Sequence, residues 1–148
     1  IHNMNCFYMN NPKILICENN FVHFKYDHIQ KILFVTVKPT IPTDKEWAFV
    51  KNTIKDYYEV AIKTKQKFSM MMDIRKLTNL HWEKYEDYRT FFNNLRSKTA
   101  ICINGTAIIT ESLFIRAALN AFFAIYTAER PVSFVESIEA GKTFFQSI

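Results

Sequence analysis

Polar and apolar positions follow two rhythms along this chain, and the switches between them mark out its elements. Phe21 to Tyr26 sets Val22, Phe24 and Tyr26 against His23 and Lys25, the period of two expected of a strand with one wet face. Just before it, KILIC (13–17) reads as a short strand closed by the turn-forming Glu18-Asn19-Asn20. Ile32 to Val37 (ILFVTV) is denser and more β-branched, which suits a central strand buried on both faces, and Pro39 and Pro42 end it. The rhythm then changes to steps of three and four. Trp47, Val50, Ile54, Tyr57 and Ala61 make one apolar stripe, with Lys51, Lys55, Asp56 and Glu59 mostly outside it. Thr43 and Glu46 form a capping box at its start, so the pattern predicts a helix from Thr43 to about Gln66.

The next stretch, FSMMMDIRKLTNLHW (68–82), organises the rest. A buried strand, Phe68 to Met72, runs into Asp73, a short polar turn, and a helix capped by Asn79. Open α/β sheets place their sites at such strand-to-helix edges. That helix carries Trp82, Tyr85, Tyr88, Phe92 and Leu95 on one side and Glu83, Lys84, Glu86 and Asp87 on the other. TAICIN (99–104) reads as a further strand ended by Gly105. The helix expected from about Thr110 to Thr127 has almost no polar face, and a helix apolar all round must be covered on more than one side. Pro131 opens a last strand, Val132 to Val135, and Ser137 starts a final helix with Ile138, Gly141, Phe144 or Phe145, and Ile148 as its stripe.

The resulting order is β-β-β-α-β-α-β-α-β-α. Strands alternating with helices imply right-handed crossovers and a largely parallel sheet, with an antiparallel hairpin at one edge. The expectation is a single-domain α/β protein, a mixed β-sheet with packed helices over residues 14–148. Residues 1–13 read as an N-terminal tail that includes added residues or an upstream extension, with Met4 or Met9 as the natural start.

Composition narrows the function. With 148 residues, 49% hydrophobic and 22% charged, the chain can bury a core of ordinary size. Only Gly105 and Gly141 are glycine, which excludes a dinucleotide fingerprint or a P-loop, since both need several residues without Cβ beside the phosphates. The net charge of +5 is dispersed. Lys63, Lys65 and Lys67 come closest to a cluster, and at a helix C-terminus they suit the dipole better than a nucleic-acid patch. The three cysteines, Cys6, Cys17 and Cys102, lack metal spacing and read as buried free thiols of a reducing compartment. No apolar run reaches the length of a membrane span, and nothing resembles a signal peptide. A cytoplasmic location is expected by elimination.

Three segments together resemble the STAS-like fold of anti-sigma-factor antagonists and their SEC14-like relatives, mostly bacterial: MMMDIRKLTNLHW, AICINGTAIITESLFIRAALNAFF and RPVSFVESIEAGKTFF. The resemblance covers roughly residues 14 to 148 and implies a small non-enzymatic regulatory or protein-interaction module. In the antagonists a serine after the equivalent strand is phosphorylated at a helix N-terminus, where backbone N–H groups favour an anion. This chain departs there. His81 and Trp82 stand nearest those positions, no serine lies between Ser69 and Ser97, and Thr78 is the nearby hydroxyl.

Candidate sites follow from both lines of reasoning. Asp73, Arg75, Lys76, Thr78, Asn79 and His81 gather at one rim, either as a recognition site for a protein partner or small anion, or as ordinary turn and cap residues. His23, Asp27 and His28 fall short of the three or four convergent ligands of a metal site. No Ser-His-Asp arrangement is legible, Cys102 and His81 are no more than two letters, and adjacent Glu86 and Asp87 do not face each other. The chain thus reads as lacking catalytic residues, cofactor and metal. Phe114, Ala118, Phe122 and Phe123 of the apolar helix could sit in the core, form a homodimer surface, or line a pocket for a small apolar or amphipathic ligand. A continuous internal cavity beside Phe122 and Phe123 would favour the ligand.

Overall fold

The computed structural model describes residues 6–8, 14–78, 81–125 and 128–148. Among them, seven strands form one sheet in unbroken sequence order: β1 (Cys6–Tyr8), β2 (Ile14–Glu18), β3 (Val22–Asp27), β4 (Ile32–Val37), β5 (Phe68–Asp73), β6 (Ile103–Ile109) and β7 (Val132–Val135). β1 to β4 pair antiparallel, and β4 to β7 pair parallel. The mixed α/β sheet expected from the sequence is therefore present. It has one strand more, because Cys6–Tyr8, inside the stretch read as a tail, pairs with β2. The helices are α1 (Asp44–Thr64), α2 (Tyr85–Asn94), α3 (Arg96–Cys102), α4 (Leu113–Ile125) and α5 (Ile138–Ser147), with a 3-10 turn at Trp82–Lys84.

Local chemistry fixes the ends. Asp27 Oδ1 accepts from the Ile29 and Gln30 amides, and Lys31 takes a left-handed φ of 56° to close the β3–β4 turn. At α1 the Glu46 amide donates to Thr43 Oγ1 at 3.1 Å and the Thr43 amide to Glu46 Oε1 at 2.9 Å. That is the capping box expected. Lys65 stops the helix in the left-handed region, two residues sooner than the stripe suggests. Tyr58 rather than Tyr57 completes the buried stripe, while Tyr57 is half-buried against the Tyr26 ring.

TAICIN is not a strand. Arg96–Cys102 is helical, and β6 begins only at Ile103. The reason lies in what is buried: Leu95 and Cys102 are in the core and Ile101 faces solvent, a helical spacing despite the β-branched letters. Thr99 docks this helix on α1 through a 3.0 Å hydrogen bond with the Tyr58 hydroxyl. Gly105 does not end the strand; β6 runs through it. Phe68 to Met70 on β5 faces Ile103 to Thr106 on β6, so β6 carries one extra residue there, a bulge. Gly105 sits in that bulge because Ile148 of the C-terminal segment and the Pro131 carbonyl crowd the space a Cβ would need.

Two cores follow from the alternation of the strands. Leu33, Val35, Phe68, Met70 and Ile108 face α1 to α4, whereas Ile32, Met71, Ala107, Ile109 and Val135 face α5. Ser137 caps α5 by accepting from the Ala140 amide at 3.1 Å. Gly141 lets α5 lie directly on Met71 and Ala107.

Cys17 is disulfide-bonded, which corrects the reading of three free thiols; Cys6 is its register partner in the β1–β2 ladder. Cys102 is the buried free thiol, pushed up by burial, and donates to the Tyr58 carbonyl at 3.6 Å. Disulfides persist in oxidising compartments, so the expected cytoplasmic setting loses its redox support.

Gly141→Leu should destabilise the fold by about 2–3 kcal/mol through overpacking against buried Met71 and Ala107, whereas Thr143→Leu on the exposed side of α5 should change urea unfolding little. Alkylation in denaturant without reductant should label the Cys102 peptide and leave the Cys17 peptide unlabelled until a reductant is added.

Candidate functional site

The rim after β5 does not gather its polar residues into one site. Asp73 and Arg75 close on each other: Arg75 Nη2 donates to Asp73 Oδ2 at 2.7 Å, Nε to Oδ1 at 3.0 Å, and the Arg75 amide to Oδ1 at 3.1 Å. Burial alone would raise the Asp73 carboxyl, but the Arg75 hydrogen bonds and charge outweigh it and hold the group below its ordinary value. Thr78 is exposed, and Asn79 lies outside the described residues. His81 is not part of this pair and lines a cavity on the face of the sheet that α1 to α4 cover. The convergence suggested by the linear order is thus split between a self-satisfied ion pair and a cavity wall.

That cavity, about 270 Å³, lies between the sheet and α1, α2 and α4. Its floor comes from inward positions of the parallel strands, among them Val35, Met70, Met72, Thr106 and Ile108. α1 adds Trp47, Val50, Ile54 and Tyr58. Tyr85, Tyr88 and Phe92, spaced three and four, give the α2 wall from one helical face, and His81, just ahead of the 3-10 turn that leads into α2, extends it. α4 closes it with Leu119, Phe122 and Phe123. The rings interlock: Trp47 meets Tyr88 edge-on at 4.8 Å, and Tyr85 meets Phe122 at 5.5 Å.

The polar groups in the wall fall into two sets. Glu129 pairs with Arg96, and Arg130 donates to the Ile103 carbonyl at 3.1 Å and the Asn104 carbonyl at 3.3 Å, so these charges are engaged. The Tyr88 hydroxyl and His81 Nε2 are shielded from solvent and have no hydrogen-bond partner among the described residues. Burial pushes the Tyr88 hydroxyl up to about 12, with Glu83 and Asp87 adding to the effect, so it stays protonated at neutral pH.

No protein-family model, curated protein or solved structure matches this chain. The site therefore has to be read from its own geometry.

The four residues expected on one α4 face separate. Phe122 and Phe123 line the cavity, Ala118 is half-buried, and Phe114 is 68% exposed beside Leu113 at 80%. Ile115 and Leu119, not singled out in the sequence, carry α4 onto the core. Elsewhere, His28 is exposed on the β3–β4 turn with its ring against Tyr26, and burial lowers the half-buried His23 despite the opposing charge of Glu18. Among the described residues no three His, Cys, Asp or Glu side chains gather to hold a metal ion, and no helix is long and apolar enough to cross a membrane.

The Asp73–Arg75 pair gives a testable pH dependence. A carboxyl held below its unfolded value of 3.8 adds stability that is complete above that value and lost as the pH falls through the lower folded one. Asp73→Asn should cost roughly 0.5 kcal/mol near neutrality, a small figure because solvent screens this partly exposed pair. In urea unfolding the gap between wild type and variant should close as the pH drops below 3.8.

Proposed function

We propose that this protein is a non-enzymatic binding protein whose ligand, a small apolar or amphipathic molecule, occupies the cavity between the sheet and α1, α2 and α4. The single observation that carries this reading is the cavity beside Phe122 and Phe123, partly open to solvent and lined almost wholly by apolar and aromatic side chains. Its volume is close to the lower end of small-molecule pockets, roughly 300 Å³. An apolar cavity that size excludes well-hydrated molecules and rewards burial of hydrocarbon. The STAS-like and SEC14-like resemblance belongs to the same proposal, supported by parallel crossovers between β4 and β7. The closed Asp73–Arg75 pair leaves the rim little free charge with which to recognise an anion.

A regulatory module that binds a protein partner, or a second copy of the chain, is the competing reading. Leu113 and Phe114, exposed together at the start of α4, are the observation that favours it.

Ligand binding to the folded state alone raises its stability by about 2.7 kcal/mol at one hundred times Kd, or about 5–10 °C in Tm for a domain of this size. n-Butylbenzene and 1-octanol should produce such a rise, and Thr106→Phe, which fills the floor, should abolish it while the chain stays folded by circular dichroism. Native mass spectrometry of protein purified without refolding should retain a small-molecule adduct. A bare mass together with no thermal shift from either compound would overturn the binding reading.

A further inference from the structure

The two unpartnered polar atoms of the α2 wall say more about the ligand than the apolar lining does. A buried donor or acceptor left unmade carries a desolvation penalty, and folded proteins rarely keep two in one wall without a use for them. Tyr88 on α2 and His81, just ahead of the 3-10 turn that leads into α2, both line the cavity. The charged groups at the other end, Glu129 and Arg130, are already engaged by Arg96 and by main-chain carbonyls.

The lining selects among polar heads. An ionised carboxylate or phosphate would lose its hydration against walls that are almost wholly apolar and whose charged groups, Glu129 and Arg130, already have partners. A neutral oxygen loses far less. It can accept from the Tyr88 O–H, and a hydroxyl can also donate to His81 Nε2. Scaled from the ~150 Å³ that holds a benzene, the 270 Å³ available takes about ten non-hydrogen atoms.

Resting on the binding reading above, we propose that the ligand is a compact neutral amphiphile whose single hydroxyl accepts from the Tyr88 hydroxyl and donates to His81 Nε2. Both atoms are shielded from solvent, so the head parts the side chains around them as it enters. Satisfying two buried polar atoms offsets that rearrangement.

Calorimetric titration of the full chain with 1-octanol, octanoate and n-butylbenzene tests this, in wild type, Tyr88→Phe and His81→Leu. The expected result is that 1-octanol binds more tightly than octanoate. Each substitution should weaken 1-octanol by about five- to tenfold, the effect of one net hydrogen bond, and leave n-butylbenzene within about twofold. Tyr88→Phe should not lower the stability of the unliganded chain, since its hydroxyl has no partner to lose. If octanoate binds tightest, or if both substitutions leave 1-octanol unchanged while all three compounds bind, the neutral-head assignment is wrong and the binding cavity stands. Should none of the three bind wild type, the binding reading itself fails.

Discussion

A parallel crossover has a fixed hand, so when neighbouring strands follow one another in an unbroken order every connecting helix falls on the same face of the sheet. Here β4, β5, β6 and β7 are in that order, and α1, α2, α3 and α4 share one core with the inward residues of those strands. One face must therefore accommodate four helices and the other only α5. The two faces meet that demand differently. On the α5 side Gly141 removes the side chain at the point of contact, and the helix rests on Met71 and Ala107. On the crowded side the helices present Trp47, Tyr85, Tyr88, Phe92, Phe122 and Phe123 to a floor of smaller aliphatic and polar residues.

Protein interiors are normally packed to the density of organic crystals, so the side chains around this partly open cavity forgo contacts that a filled core would give them. Rings that stack edge-on against one another, as Trp47 does with Tyr88 and Tyr85 with Phe122, brace the walls and keep them from collapsing inward. The cavity is thus a consequence of the same arrangement that stabilises its walls. Its two unsatisfied polar atoms add to the cost of leaving it unfilled.

The rim at the end of β5 shows the opposite economy. Asp73 and Arg75 satisfy each other through three hydrogen bonds, so the polar turn after β5 is closed by a local ion pair. No serine stands between Ser69 and Ser97 to receive a phosphate. The apolar features lie elsewhere: a cavity behind α2 and α4, and the exposed pair Leu113 and Phe114 at the start of α4.

The letters alone determined the elements whose signals are local. The Thr43–Glu46 capping box, the Ser137 cap, the alternation of β3 and the apolar density of β4 and β5 are each written within a few residues, and each appears where its pattern places it. Where letters and packing conflicted, packing decided. Thr99, Ile101 and Ile103 look like one strand, but a helix docked on Tyr58 uses the first two, and the ladder to Phe68 begins with the third. Gly105 looks like a stop and is a bulge, because what crowds it comes from Pro131 and Ile148, far along the chain. The same reason separates the candidate sites. Asp73 and His81 are only eight positions apart in sequence, yet the first closes on Arg75 and the second lines the cavity. A cavity is a property of what several elements fail to fill between them, so no single stretch of sequence can announce it.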